Sequence, residues 1–151
     1  MSQWMIYGAN GYTGTLLAQA AAARGLKPVL AGRNTRAITQ LGESLGLPHQ
    51  CFDLHDQQAL QQTLAEHRVI LNCAGPFSAT SQPLIDACLA TGCHYLDITG
   101  EIDAFVAAQA RQTDAEQANI VICPGVGFDV IPTDCIAARL KQELPDADRL
   151  A

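Results

Sequence analysis

Three glycines at three-residue spacing, Gly8, Gly11 and Gly14, stand between a short apolar run, Trp4 to Tyr7, and a longer stretch from Thr13 to Arg24. That stretch carries Leu16, Leu17, Ala20 and Ala21 at helical intervals, so the glycines join a strand to a helix. A side chain in such a turn would keep a diphosphate away from the backbone N–H groups, and the dipole of the following helix favours an anion. The segment Gly8-Ala9-Asn10-Gly11-Tyr12-Thr13-Gly14 is therefore read as the pyrophosphate grip of a dinucleotide site. Its spacing is G-x-x-G-x-x-G and not G-x-G-x-x-G, which identifies the fold better than the reaction.

The rest of the chain repeats that alternation. Apolar runs at 28–31, 50–54, 69–73, 94–98 and 120–123 read as strands two to six. Helical patterns fall between them at 36–45, 57–66, 83–90 and 102–117, and a last one runs from Pro132 to about Glu143. Gly25 and Gly46 are placed to end helices, and Pro83 suits a first helical turn. Six strands with five crossover helices predict an α/β fold, a Rossmann-type doubly wound parallel sheet in three α/β/α layers. At 151 residues the chain fits one domain, with residues 1–144 as the dinucleotide-binding unit. Nothing after Leu144 is long enough to form a substrate domain, so residues 145–151 are expected to begin a connection to a second one.

Charge and cysteine usage narrow the function classes. A net charge of −6, with only Lys27 and Lys141 as lysines, argues against a nucleic-acid partner, which requires a basic face. No run of 18 apolar residues exists to span a membrane, and the N-terminus lacks the pattern of a secretory signal. Cys51, Cys73 and Cys123 sit in apolar runs that read as buried strands, where a thiol acts as a small hydrophobe. Cys88, Cys93 and His94 have a metal-like spacing but no second ligand pair, so no metal is expected. These readings favour a reducing compartment and a cytoplasmic location.

The cofactor is read at the end of strand two. An NAD site places Asp or Glu there for the ribose hydroxyls, whereas this chain has Ala31-Gly32-Arg33-Asn34. Gly32 leaves room for the ribose, and Arg33 is suited to a 2′-phosphate, which favours NADP over NAD. Asp53, ending strand three, is positioned either for the adenine edge or as a turn or helix-capping residue. Cys73-Ala74-Gly75-Pro76-Phe77 ends strand four with small residues that allow backbone contact with the nicotinamide side. Loops after strands five and six, 97–101 and 124–134, bring polar groups to the same edge. There Asp97 or Glu101 could assist proton transfer, although Glu101 also suits the first turn of the next helix. No Tyr-x-x-x-Lys pair exists, which weakens a short-chain dehydrogenase reading, and no catalytic residue is assigned.

Five blocks together, 8–14, Ala-Gly-Arg-Asn at 31–34, Leu-Asn-Cys-Ala-Gly-Pro-Phe at 71–77, His-Tyr-Leu-Asp-Ile-Thr-Gly-Glu at 94–101 and Gly-Phe-Asp-Val-Ile-Pro-Thr-Asp at 127–134, resemble the NADP-binding domain of saccharopine dehydrogenase-like oxidoreductases, a group that includes trans-acting enoyl reductases. The resemblance implies cofactor contacts at Gly8 to Gly14, at Arg33 and Asn34, and around Cys73 to Phe77. It also implies a small-molecule substrate and a second α+β domain that covers the nicotinamide, and it allows a homodimer. The competing reading is a non-catalytic dinucleotide-binding or sensing module.

Overall fold

The computed structural model describes residues 4–149. Residues 1–3, at the start of the expected domain, and 150–151, at the end of the expected connection, lie outside the described residues. The elements run β1 (Trp4–Tyr7), α1 (Tyr12–Ala23), β2 (Val29–Gly32), α2 (Thr35–Leu45), β3 (His49–Cys51) and α3 (Gln57–Leu64). They continue with β4 (Val69–Asn72), α4 (Phe77–Thr91), β5 (His94–Asp97), α5 (Ile102–Gln109), α6 (Gln112–Ala118), β6 (Ile122–Cys123) and α7 (Ile131–Glu143). All the pairings are parallel, and the strand order is β3-β2-β1-β4-β5-β6. This is the expected doubly wound sheet. The order reverses between β1 and β4, which opens a crevice beyond their carboxyl ends.

Strand alternation sends successive residues to opposite faces of the sheet. Met5, Tyr7, Ile70 and Tyr95 join Leu60 and Leu64 of α3, Leu84 and Ile85 of α4, Ala108 of α5 and Ala115 of α6 in one core. Ile6 and Leu30 pack with Ala18 of α1 and Ile38 of α2 in the other. These two cores, one above and one below the sheet, make the three layers. Gly25 and Gly46 follow α1 and α2 in left-handed conformations, as their positions predict.

Four local expectations are corrected. Strand β3 is shorter than 50–54, because the Phe52 N–H is the last to reach β2, bonding the Gly32 carbonyl at 3.2 Å before the chain turns away. Pro83 lies inside α4 and not at its first turn, since the helix already begins at Phe77. The helix expected over 102–117 is two helices, broken around Ala110 and Arg111. Arg111 there holds Asp86 of α4 at 2.5 Å and Asp114 of α6 at 2.7 Å. Cys51 is exposed on the sheet's edge strand and not buried, while Cys73 and Cys123 are half-buried. No helix among the described residues is long and apolar enough to cross a membrane.

Helix α1 approaches the end of β1 so closely that only a hydrogen fits at Gly14. A Cβ there would overlap the Gly8 carbonyl oxygen and lie 2.8 Å from the Ala9 Cα, both backbone atoms that cannot rotate aside. Gly14→Ala is therefore expected to destabilise the fold by about 1–3 kcal/mol, as overpacking generally does. A lowered urea midpoint would record it. An unchanged midpoint would mean that α1 can slide away from β1 without cost.

Candidate functional site

A cavity of about 490 Å³ opens at the carboxyl edge of the sheet, within the size range of small-molecule sites. The loops after β1, β2, β3 and β4 all contribute to its wall. Of the residues expected from sequence, Gly8, Asn10, Gly11, Arg33, Asn34, Asp53, Cys73, Ala74, Gly75 and Pro76 line it. Ala9, Tyr12, Thr13, Gly14 and Phe77 are not on its wall. Ala9 is sealed inside, its N–H bonded to the Ala31 carbonyl at 3.1 Å, while the Tyr12 ring points to solvent. Gly14 acts through packing. The sequence reading did not single out Tyr7, Leu54, His55, Ala79 or Thr80, which also line the cavity. Leu54 and His55 follow directly on Asp53, and Ala79 and Thr80 extend the β4 loop into α4. Their signal was adjacency to the motifs.

Gly8 is required twice over. Its φ of +75° lies in the left-handed region, and a Cβ on it would come within 2.9 Å of Ala74 and Cys73. The β1 and β4 loops thus meet backbone to backbone, and the Cys73 N–H bonds the Tyr7 carbonyl at 2.8 Å. Gly11 is the N-cap of α1 and supplies no side-chain cap, so the first N–H groups of that helix are left to an external acceptor. The three preceding conditions (a gap that a Cβ would fill, uncapped N–H groups and a cavity beside them) suit a diphosphate.

The adenosine end and the opposite end differ in chemistry. Arg33 is exposed on the loop after β2, and none of the charged side chains among the described residues forms an ion pair with it. Asn34 caps α2, its Oδ1 accepting from the Ala37 N–H at 3.1 Å. Asp53 has the turn role, its Oδ1 accepting the His55 N–H at 2.9 Å, and it also lines the cavity. Asp56, not Asp53, caps α3.

Behind the β4 loop lies a buried polar chain. The Thr80 hydroxyl donates to the Ala74 carbonyl at 2.6 Å, and Asn72 Nδ2 donates to Thr80 at 3.1 Å and to the Tyr95 hydroxyl at 3.2 Å. Tyr95 donates to Asp97 Oδ2 at 2.8 Å, and Asp97 Oδ1 accepts the Thr99 and Gly125 N–H groups, each at 2.9 Å. Burial, and then the charge of Asp97, pushes the Tyr95 hydroxyl pKa well up, so it stays a donor. Burial pushes the Cys73 thiol up to about 12, with Asp97 adding to the effect, which leaves a neutral thiol in the cavity wall.

Glu101 is the N-cap residue of α5, not a first-turn residue, and its side chain serves another helix. Its two oxygens accept the Phe77 and Ser78 N–H groups at 2.7 and 2.8 Å, closing the N-terminus of α4. Those bonds, Phe77 first, hold its pKa below the ordinary 4.5. Asp97 and Glu101 are therefore both engaged with donors of the protein itself. Among the described residues, no group of three His, Cys, Asp or Glu could hold a metal ion.

Residues 4–123 match the family model described as the saccharopine dehydrogenase NADP-binding domain. A saccharopine dehydrogenase-like oxidoreductase of Arabidopsis thaliana is 33% identical over 147 residues, covering 86% of this chain and 32% of its own length. A trans-acting enoyl reductase of Mycobacterium leprae is 31% identical over 150 residues, covering 93% of this chain and 35% of its own. Among solved structures, the L-Glu-forming saccharopine dehydrogenase of Saccharomyces cerevisiae superposes with a TM-score of 0.80 at 17% identity. That match covers 95% of this chain and 31% of the yeast protein, and it shares the fold. A triphenylmethane reductase of Citrobacter, solved with NADP(H), gives 0.58 at 17% identity over 77% of this chain and 46% of its own. The chain spans about a third of the length of the relatives it matches.

The Glu101 clamp has a definite pH signature. A carboxyl whose folded pKa lies below 4.5 contributes stability that is present above 4.5 and lost as the pH falls through the folded value. Glu101→Gln should lower the urea midpoint at pH 7, and its gap from the unmodified chain should narrow steadily below pH 4.5. A gap of the same size at pH 7 and pH 3 would show that the charge on Glu101 does not hold α4.

Proposed function

Because the chain belongs to the saccharopine dehydrogenase NADP-binding domain family, we propose that its cavity is the NADP site of an oxidoreductase that transfers hydride to or from a small molecule. On this reading the turn from Gly8 to Gly14 holds the pyrophosphate on the α1 N-terminus, with Gly14 fixing the helix beneath it. Arg33 and Asn34 take the 2′-phosphate, Asp53 faces the adenosine, and Cys73 to Phe77 form the wall toward the nicotinamide. Residues 1–144 serve as the cofactor domain, and 145–151 begin the connection to a second domain. The single observation carrying the residue-level reading is the convergence of four loops with an exposed arginine, and no carboxylate, at the end of β2.

NADP supplies the hydride chemistry when bound. This chain's residues bind and orient it. Gly8 and Ala74 fix where the β1 and β4 loops stand, and the buried Asn72–Tyr95–Asp97 chain keeps the later loops from shifting. Turnover of NADPH with imines, enoyl thioesters or carbonyl compounds would support an enzyme. Tight binding with no turnover of any of these would instead point to the sensing module.

The arginine gives the sharper test. A hydrogen bond to a charged group contributes about 1.5–3 kcal/mol, so Arg33→Ala should weaken NADPH about tenfold or more while NADH binding changes little. Fluorescence titration with both cofactors separates them. Equal losses for the two would remove Arg33 from the 2′-phosphate site.

A further inference from the structure

Tyr7 ends β1 on the floor of the cavity and belongs to none of the motifs read from the sequence. It is 3% exposed, in parallel register with Ala31 and Asn72, and its ring lies 5.2 Å from that of Phe52 at an interplanar angle of 33°. So much buried aromatic surface explains the ring, but not the hydroxyl. A buried phenol ordinarily finds a hydrogen-bond partner, since leaving it unpaired is costly. Among the described residues, no fully sealed side-chain oxygen or nitrogen lacks a partner. No described group bonds the Tyr7 hydroxyl; what acts on it is burial and the nearby charges of Asp53 and Arg33. It follows that the small accessible part of Tyr7 includes its hydroxyl, and that this hydroxyl opens into the cavity that Tyr7 lines.

We propose that Tyr7 is a cofactor-contacting residue whose hydroxyl hydrogen-bonds the adenosine half of the dinucleotide. This rests on the NADP reading of the cavity. The adenosine half is indicated because the Tyr7 ring packs on that of Phe52, and the groups acting on its hydroxyl are Asp53, Arg33 and Cys51, at or just beyond the ends of β2 and β3. Burial, with the Asp53 charge second, pushes the hydroxyl pKa up to about 12, so the group is neutral and can both donate and accept. A ribose hydroxyl or an adenine nitrogen would complete its hydrogen bonding. In the ligand-free protein, Tyr7→Phe removes only an oxygen that makes no hydrogen bond to a described group and keeps the ring against Phe52.

The test uses 2′,5′-ADP, the adenosine half with its phosphates, titrated calorimetrically into the chain and into its Tyr7→Phe variant. A neutral hydrogen bond corresponds to about a 2- to 10-fold weakening, expected with no change in the ligand-free melting temperature. Equal binding by the two proteins overturns the proposal. A weakening accompanied by a melting temperature several degrees lower also overturns it, since Tyr7 would then be a structural residue. If the unmodified chain fails to bind 2′,5′-ADP, the NADP reading fails and takes this inference with it. The first two outcomes would leave that reading intact.

Discussion

The Asp97 carboxylate is 1% exposed and has no cation among its hydrogen-bond partners. Burying such a group is tolerable only when donors replace the water it has lost. Here they are the Tyr95 hydroxyl and two backbone N–H groups, Thr99 in the loop after β5 and Gly125 in the loop after β6. The main-chain carbonyl of Asp97 also accepts the Val126 N–H at 2.8 Å. Through Tyr95 and Asn72 the same network reaches Ala74, on the loop after β4, and Thr80, in the first turn of α4. One residue thereby fixes three consecutive loops to one another. Parallel strands leave the sheet edge with its loops independent, so this tie is what makes a wall of them.

The electrostatic consequence appears at the helix N-termini. Asn34 caps α2, Asp56 caps α3, and the carboxylate of Glu101 closes α4 from 24 residues away. Of the first four helices, α1 alone is left without a side-chain acceptor. An anion drawn to the N-termini of these four helices therefore meets one open position, and it is the position where Gly8 and Gly14 have already removed the side chains. In a chain of net charge −6, an unpaired Arg33 nearby adds a local positive field against an acidic background.

Much of this was legible locally. Strand β1, the glycine turn and α1 are specified within twenty residues, and the apolar period fixes strand from helix on either side. Gly25 and Gly46 mark helix ends for the same reason. What escaped depended on distant partners. Nothing near Phe77 announces a helix start, because the capping carboxylate comes from Glu101, and so Pro83 was read as the beginning. With the helix already started, Pro83 sits in its interior, where its missing N–H costs one bond to the Ala79 carbonyl. At the break between α5 and α6, Arg111 likewise pairs with Asp86, on another helix. Within the site, Arg33 was legible because an absent carboxylate is visible in sequence. Tyr7 was hidden because a strand-end aromatic reads as core, which its ring is.

The same network decides what this chain can contribute to a reaction. Asp97 and Glu101 were the carboxylates that their loops offered for proton transfer, and both are bound to donors of the protein itself. Cys73 stays protonated in the wall, and Tyr95 is sealed behind it. A proton donor must combine a free group with reach to the reacting atom, and Asp97, Glu101 and Tyr95 lack one or the other. Their work is positional: they hold loop backbones still, so that a dinucleotide would meet preformed surfaces and little ordering would be required on binding. The chemistry of grip is concentrated in the β1, β2 and β3 loops, and the chemistry of alignment in the β4, β5 and β6 loops. That division follows from the sheet, since β1 and β4 stand side by side at its centre and the two halves meet at Gly8 and Ala74.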